Sequence, residues 1–282
     1  MNNKIFLKSL MICLLAIYIS PSVVMGWSEH PLITRPVIQG VEQIMMAPEV
    51  EVKSLARFLA EEEAGIEKLL AEHEARAREV FRYYQPRPDH LAFKATGNQQ
   101  DLLQRFFYAI RINPNVKMAL YLHLLPTDNT GGREAISPYE LTTLTRLHEM
   151  LSSTYVRLDE GEWVHPLYVL TTATDEPDYG FDLGLFEDNN SAWGAVYGFG
   201  NQSFGNPSLE YGTQAPFHMW FYHESGIVFA AAPFLRRTYV DYRIDLYKSL
   251  AVYAFRAGQP YWGYRFMGWA MHYLNDLSMP YH

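Results

Sequence analysis

Apolar side chains recur at helical spacing through much of the chain, and this points to an all-α class. From Pro48 to about Tyr84 the sequence is charged and rich in Ala and Leu, with Leu55, Phe58, Leu59, Ile66, Leu69 and Leu70 on one stripe. That is the pattern of a long amphipathic helix with one buried face, and Gly65 is where it could break. Shorter helices are expected around Gln99 to Ile112 and, behind the Ser137-Pro138 start signal, from Pro138 to about Ser153. Two more, rich in aromatics, run from about Val240 to Arg256 and from Tyr261 to Leu277, divided by Gly258-Gln259-Pro260. Between about Thr171 and Thr213 the composition turns to Asp, Asn, Gly and Tyr, which reads as an extended surface loop. The expected architecture is therefore one mostly helical domain with a long inserted loop, and loops of such length usually carry function.

The first residues set the compartment. Lys4 and Lys8 precede an uncharged apolar run from Ser9 to Ile19 and a small-residue stretch ending Val24-Met25-Gly26, the layout of a secretory signal peptide spanning residues 1–26. The run is too short to span a bilayer, which takes about 20 residues, and no later segment is continuously apolar for that length. The expectation is a secreted or periplasmic protein, residues 27–282, with no stable membrane span. Its single cysteine, Cys13, lies in the segment that export removes, so thiolate chemistry and internal disulfides are excluded. That segment holds two of the 23 Lys and Arg and none of the 31 Asp and Glu, which leaves a formal charge of −10 on the remainder. An acidic protein gains no electrostatic help in capturing a phosphate backbone, so a nucleic-acid partner is disfavoured.

The closing segment carries the chemistry. His272 is followed by Asp276 four residues on and by His282 six further. Positions i and i+4 stand one above the other on a helix face, so an imidazole and a carboxylate can converge on one cation. Zinc accepts imidazole nitrogen and carboxylate oxygen, and one carboxylate can bridge two metals. Pro280 ends the helix and lets His282 turn back. From spacing alone, a satisfied His-Asp hydrogen bond is as good a reading.

The string Ala270-Met271-His272-Tyr273-Leu274-Asn275-Asp276 with Pro280-Tyr281-His282 resembles the zinc-ligand helix of the zinc-dependent phospholipases C secreted by bacteria. The single-strand nucleases of the same superfamily share the spacing. The family usually has glycine before the aspartate, where this chain has Asn275. Cleavage after Gly26 would make Trp27 the amino terminus, and the family begins with tryptophan, whose amine and carbonyl hold one zinc together with a histidine. The resemblance therefore implies Trp27 and His30 as ligands. Glu176-Pro177-Asp178-Tyr179 resembles the loop whose aspartate binds zinc, which implies Asp178, with Asp175 or Asp182 able to take its place and both more often solvated. A further histidine should come from Pro216-Phe217-His218-Met219-Trp220-Phe221-Tyr222-His223-Glu224. His218, followed by two bulky residues as in the family, is preferred to His223.

What this implies is a trinuclear zinc scaffold with ligands Trp27, His30, Asp178, His218, His272, Asp276 and His282, and with Asp178 also orienting or deprotonating the attacking water. The family adds a histidine and an acidic residue on a helix after the position of His282, so the chain reads as lacking that part of the site. The implied activity is phosphodiester hydrolysis, preferably of glycerophospholipids as a phospholipase C in transient contact with a membrane surface. A single-strand nuclease or phosphatase on the same scaffold is the rival enzyme, and a secreted helical binding protein the rival without catalysis. His73, His90, His123, His148 and His165 match nothing in the family pattern and default to core or surface. The stretch from about Gln85 to Thr174 is longer than in the family and has no assigned role.

Overall fold

The computed structural model describes residues 29–145 and 153–278. Along the chain run α1 (His30–Gln39), α2 (Glu42–Met45), β1 (Val50–Glu51), α3 (Leu55–Val80), α4 (Leu102–Ile110), β2 (Tyr121–Leu124), β3 (Thr154–Arg157), β4 (Trp163–Val164) and α5 (Pro166–Ala173). They are followed by α6 (Gly194–Tyr197), α7 (Ala215–His218), α8 (Gly226–Ala231), α9 (Val240–Arg256) and α10 (Pro260–Ser278). The fold is helix-rich. It adds two small antiparallel ribbons, β1 with β4 and β2 with β3, that helical periodicity did not announce.

The hub is α10, which packs on α9, α5, α1 and α7. Its first residue, Pro260, suits a helix start because the missing N–H would have no partner there. Before it, Gly258 turns the chain at φ +73°, as a tight helix-to-helix connection requires. Trp262, Phe266, Trp269 and Tyr273 point into the main core, each fully buried. One face of α10 therefore builds the core, and the turn at its far end is free to present polar groups.

The long helix α3 is capped by Ser54, whose hydroxyl accepts from the Arg57 N–H at 3.3 Å. It is not broken at Gly65. A Cβ there would stand 1.7 Å from the Tyr253 hydroxyl, so the glycine lets α3 and α9 approach closely while Tyr253 donates to Glu62 at 2.7 Å.

Two expectations are corrected. Over the described part of the helix expected from Pro138 to about Ser153, the chain makes a 3-10 turn, Pro138–Glu140, with the capping box that the start signal promised, and residues 146–152 lie outside the described residues. Past it, the Thr143 N–H and the Thr142 hydroxyl go to the Tyr179 carbonyl at 3.0 and 3.1 Å, which takes the chain off the helical path. The segment read as a surface loop from Thr171 is buried without interruption as far as Phe186 and threads the middle of the molecule. Its acidic composition is compatible with burial because each carboxylate has partners. Glu176 receives Arg265 and the Trp269 indole N–H, Asp182 receives Arg243, and Asp175 receives the His30 N–H and the Tyr179 hydroxyl.

Candidate metal centre

Four elements deliver the polar groups to one spot. α1 opens with His30, the 3-10 turn Glu176–Tyr179 carries Asp178, α7 ends on His218, and the last turns of α10 carry His272 and Asp276. The Arg265 and Trp269 bonds to Glu176 tie that turn to α10, which sets Asp178 opposite His272. His30 is 1% exposed, His272 0%, Asp276 2% and His218 5%, whereas Asp178 at 9% stands nearest to solvent.

Four donor atoms cluster around His218 Nδ1 and His272 Nε2. His218 Nδ1 lies 3.0 Å from His272 Nε2 and 3.0 Å from Asp276 Oδ2, and His272 Nε2 lies 3.3 Å from the same oxygen. Asp178 Oδ1 is 3.7 Å from each histidine nitrogen. A cation with four ligands at about 2.0–2.1 Å in tetrahedral array separates its donors by about 3.3 Å. Five of the six edges scatter around that length, and Asp178, His218 and His272 bring ligand atoms within 4.8 Å of one another, so these residues could hold a metal ion.

The second oxygens of both carboxylates face His30. Its Nε2 is 3.4 Å from Asp178 Oδ2 and 3.4 Å from Asp276 Oδ1. His30, His272 and Asp276, or His30, Asp175 and Asp178, likewise bring ligand atoms within 4.8 Å of one another. Asp276 and Asp178 are thus both placed to serve two neighbouring positions, each through a different oxygen.

Groups around these residues orient them. His272 Nδ1 lies 2.8 Å from the Thr174 carbonyl, an acceptor only, so this nitrogen carries the proton and Nε2 keeps its lone pair for the centre. His218 Nε2 lies 3.3 Å from Asp182 Oδ2 in the same way, and Asp182 is itself held by Arg243 and the Tyr273 hydroxyl. His123, fully buried, sets its Nδ1 3.3 Å from Asp175.

The electrostatics follow from carboxylates in a dry site. Burial alone would discharge the imidazoles. For His30 the facing Asp178, Asp276 and Asp175 outweigh it and push the ring up to about 9; for His218, Asp182, Asp276 and Asp178 push it up to about 10. At His272 burial prevails, aided by the charge on His30 and His218, and the ring falls to about 4. Asp178, Asp182 and Asp276 stay ionised despite burial because histidines, and for Asp182 Arg243, face them.

Of the residues singled out in the sequence, the structure brings together His30, Asp178, His218, His272 and Asp276. Trp27 and His282 lie outside the described residues, as does His148. His223 stands apart on the surface beside Glu224, 3.9 Å away. Asp175 and Asp182, taken for solvated loop residues, are fully buried partners of the centre. The available sign was their spacing with Asp178, three and four residues apart, interleaved with Tyr179 and Phe181. His123 and Arg243 gave no local sign. His73 is buried against Asp245 at 3.3 Å, His165 caps α5, and His90 is exposed.

Fold and site together define a helix-rich protein with a buried His/Asp centre able to hold a metal ion. No family model, curated protein or solved structure matches the chain.

Proposed function

We propose that this chain is a secreted zinc hydrolase of phosphodiesters, acting on glycerophospholipids in the manner of a phospholipase C. The observation that supports it best is the cluster of His218 Nδ1, His272 Nε2, Asp276 Oδ2 and Asp178 Oδ1, in which each histidine nitrogen lies 3.0–3.7 Å from the other three atoms. Two imidazoles and two carboxylates are the ligands zinc takes, and the same residues carry the sequence resemblance. Zinc bound there would polarise phosphate oxygens and bring the pKa of a bound water toward about 7.

The protein's own groups then have separable tasks. Thr174 and Asp182 fix the rings of His272 and His218. Asp276, on the rigid helix α10, spans the two neighbouring positions. Asp178 is the carboxylate closest to solvent, placed to orient an incoming water or accept its proton. The phospholipid is preferred to a polynucleotide because the matching residues resemble the phospholipase branch and because the protein is acidic.

The test is zinc content per chain, with hydrolysis of phosphatidylcholine and of single-stranded DNA measured side by side, for the wild type and Asp276→Ala. Bound zinc and lipid hydrolysis that both vanish in the variant are expected. DNA cleavage without lipid cleavage would move the assignment to a nuclease, and absence of zinc from the wild type would end the hydrolase reading.

A further inference from the structure

One step past His218 the chain leaves the core and does not return until Tyr239. The excursion is pinned at its base, where the Tyr239 N–H donates to the Pro216 carbonyl at 2.8 Å and the rings of Phe217 and Tyr239 stack at 5.0 Å. Between these points no residue from Met219 to Thr238 is buried, although the stretch reads Met-Trp-Phe-Tyr early on and Ile-Val-Phe-Ala-Ala-Ala-Pro-Phe-Leu later. Helix α8 buries nothing at all. Ile227 is 78% exposed, Tyr222 62%, Phe234 46% and Trp220 37%. So much contiguous apolar surface on a water-facing excursion marks a place of contact.

The charges around it single out the partner. Arg236 and Arg237 close the excursion, and Arg82 reaches the same area from the end of α3; all three are exposed and none has a carboxylate within ion-pair distance among the described residues. Most other arginines of this acidic protein are paired. Arg82 and Arg236 line a groove of about 310 Å³ together with Tyr83, Trp220, Phe229 and Leu235. The guanidinium of Arg236 lies over the Phe229 ring at 4.4 Å. The one carboxylate lining the groove, Asp241, accepts from the Tyr242 N–H at 2.8 Å. Aliphatic and aromatic side chains flanked by unpaired arginines, with Trp and Tyr at the boundary, complement a surface that is apolar inside and anionic outside.

We infer that the excursion from Met219 to Thr238 docks on an anionic phospholipid bilayer, Ile227 and Phe234 entering the acyl region while Arg82, Arg236 and Arg237 meet lipid phosphates. The segment starts one residue past His218, a donor of the proposed centre. Docking itself stands on exposure and charge; only its use, the delivery of lipid phosphodiesters, rests on the proposed hydrolase.

The experiment is co-sedimentation of the full chain with phosphatidylglycerol/phosphatidylcholine vesicles and with phosphatidylcholine vesicles, with and without EDTA. It compares the wild type, Ile227→Ser/Phe234→Ser and Arg236→Gln/Arg237→Gln. Wild-type binding should favour the anionic vesicles, persist in EDTA and weaken with salt. Loss of the two arginines should lower partitioning by about fivefold each, and the apolar pair should lower it at least as much. Hydrolysis of the soluble ester bis(p-nitrophenyl) phosphate should be equal in all three proteins. If that hydrolysis is absent throughout while the wild type still binds vesicles and the variants do not, the hydrolase reading fails and docking stands. Vesicle binding that is absent in the wild type, or unchanged in both variants, overturns the inference. So does a wild-type dimer that both ignores vesicles and dissociates in the Ile227→Ser/Phe234→Ser protein, since a second copy would then cover this face.

Discussion

Arg243 and Asp182 form an ion pair with neither side chain exposed, Arg243 Nη2 2.5 Å and Nε 3.0 Å from Asp182 Oδ1. Two of the remaining three guanidinium hydrogens go to the carbonyls of Ile110 and Arg111 at 2.8 and 2.7 Å. The other oxygen of Asp182 takes the Tyr273 hydroxyl and faces His218. One buried pair thus joins α4, α9 and α10 to a ligand of the proposed metal centre.

Arg243→Met leaves Asp182 charged and two carbonyls unsatisfied in a dry core. Breaking a buried pair from one side costs about 3–5 kcal/mol. Urea unfolding should show a loss of that size, whereas Arg157→Met, whose Glu134 and Glu140 partners are solvent-exposed, should lower the unfolding free energy by no more than about 1 kcal/mol.

The two positions around Asp276 should empty separately. His218→Ala removes a donor from the four-atom set and should abolish its metal, while His30→Ala affects only the neighbouring position and should leave at least one ion per chain. His223→Ala, on the surface, should change nothing. Metal analysis of the three purified variants checks this, and equal metal loss in His223→Ala would contradict the assignment of His218.

Metal-free protein should lose stability toward alkaline pH. His30 and His218 are raised from 6.5 to about 9 and about 10, so the folded state holds their protons more tightly than the unfolded chain does. Their contribution is complete below pH 6.5 and disappears as pH climbs through 9 and 10. The melting temperature of EDTA-treated protein should therefore fall across that window. Zinc should flatten the trend, because metal takes the place of those protons and binds more strongly as they leave.

Gly268 lets α5 and α10 approach closely. A Cβ there would meet Ala173 Cβ at 2.5 Å and the Leu170 carbonyl at 2.7 Å. Gly268→Val should cost about 1–3 kcal/mol through overpacking. It should also reduce metal content, because His272, one turn on, takes its orientation from Thr174 just past the end of α5. Thermal melting and zinc analysis on the same sample read both effects; full zinc binding with normal melting would show that the two helices can part without disturbing the centre.

Helix positions were legible where one stripe of apolar residues repeats, as in α3, α9 and α10, because such a stripe can be buried in only one way. The His272 to Asp276 interval likewise announces two groups on one face of α10, whatever surrounds them. The course of residues 171–186 was not legible. Asp175, Glu176, Asp178 and Asp182 look like solvent-facing residues until their partners are known, and those partners lie far along the chain, Arg243 61 residues from Asp182 and Arg265 89 residues from Glu176. The short ribbons were missed for a related reason: β2 is buried at every position, so it shows no alternation.

Local sequence thus determined α3, α9, α10 and the one-turn pairing of His272 with Asp276, since these depend on intervals of a few residues. Tertiary structure decided how His218, preferred to His223 on the sequence, meets them, which oxygens of Asp178 and Asp276 face His30, and that a run of acids crosses the interior. Those outcomes depend on which distant positive or hydrogen-bonding group each carboxylate meets, and burial of a charge is permitted only once that partner is in place.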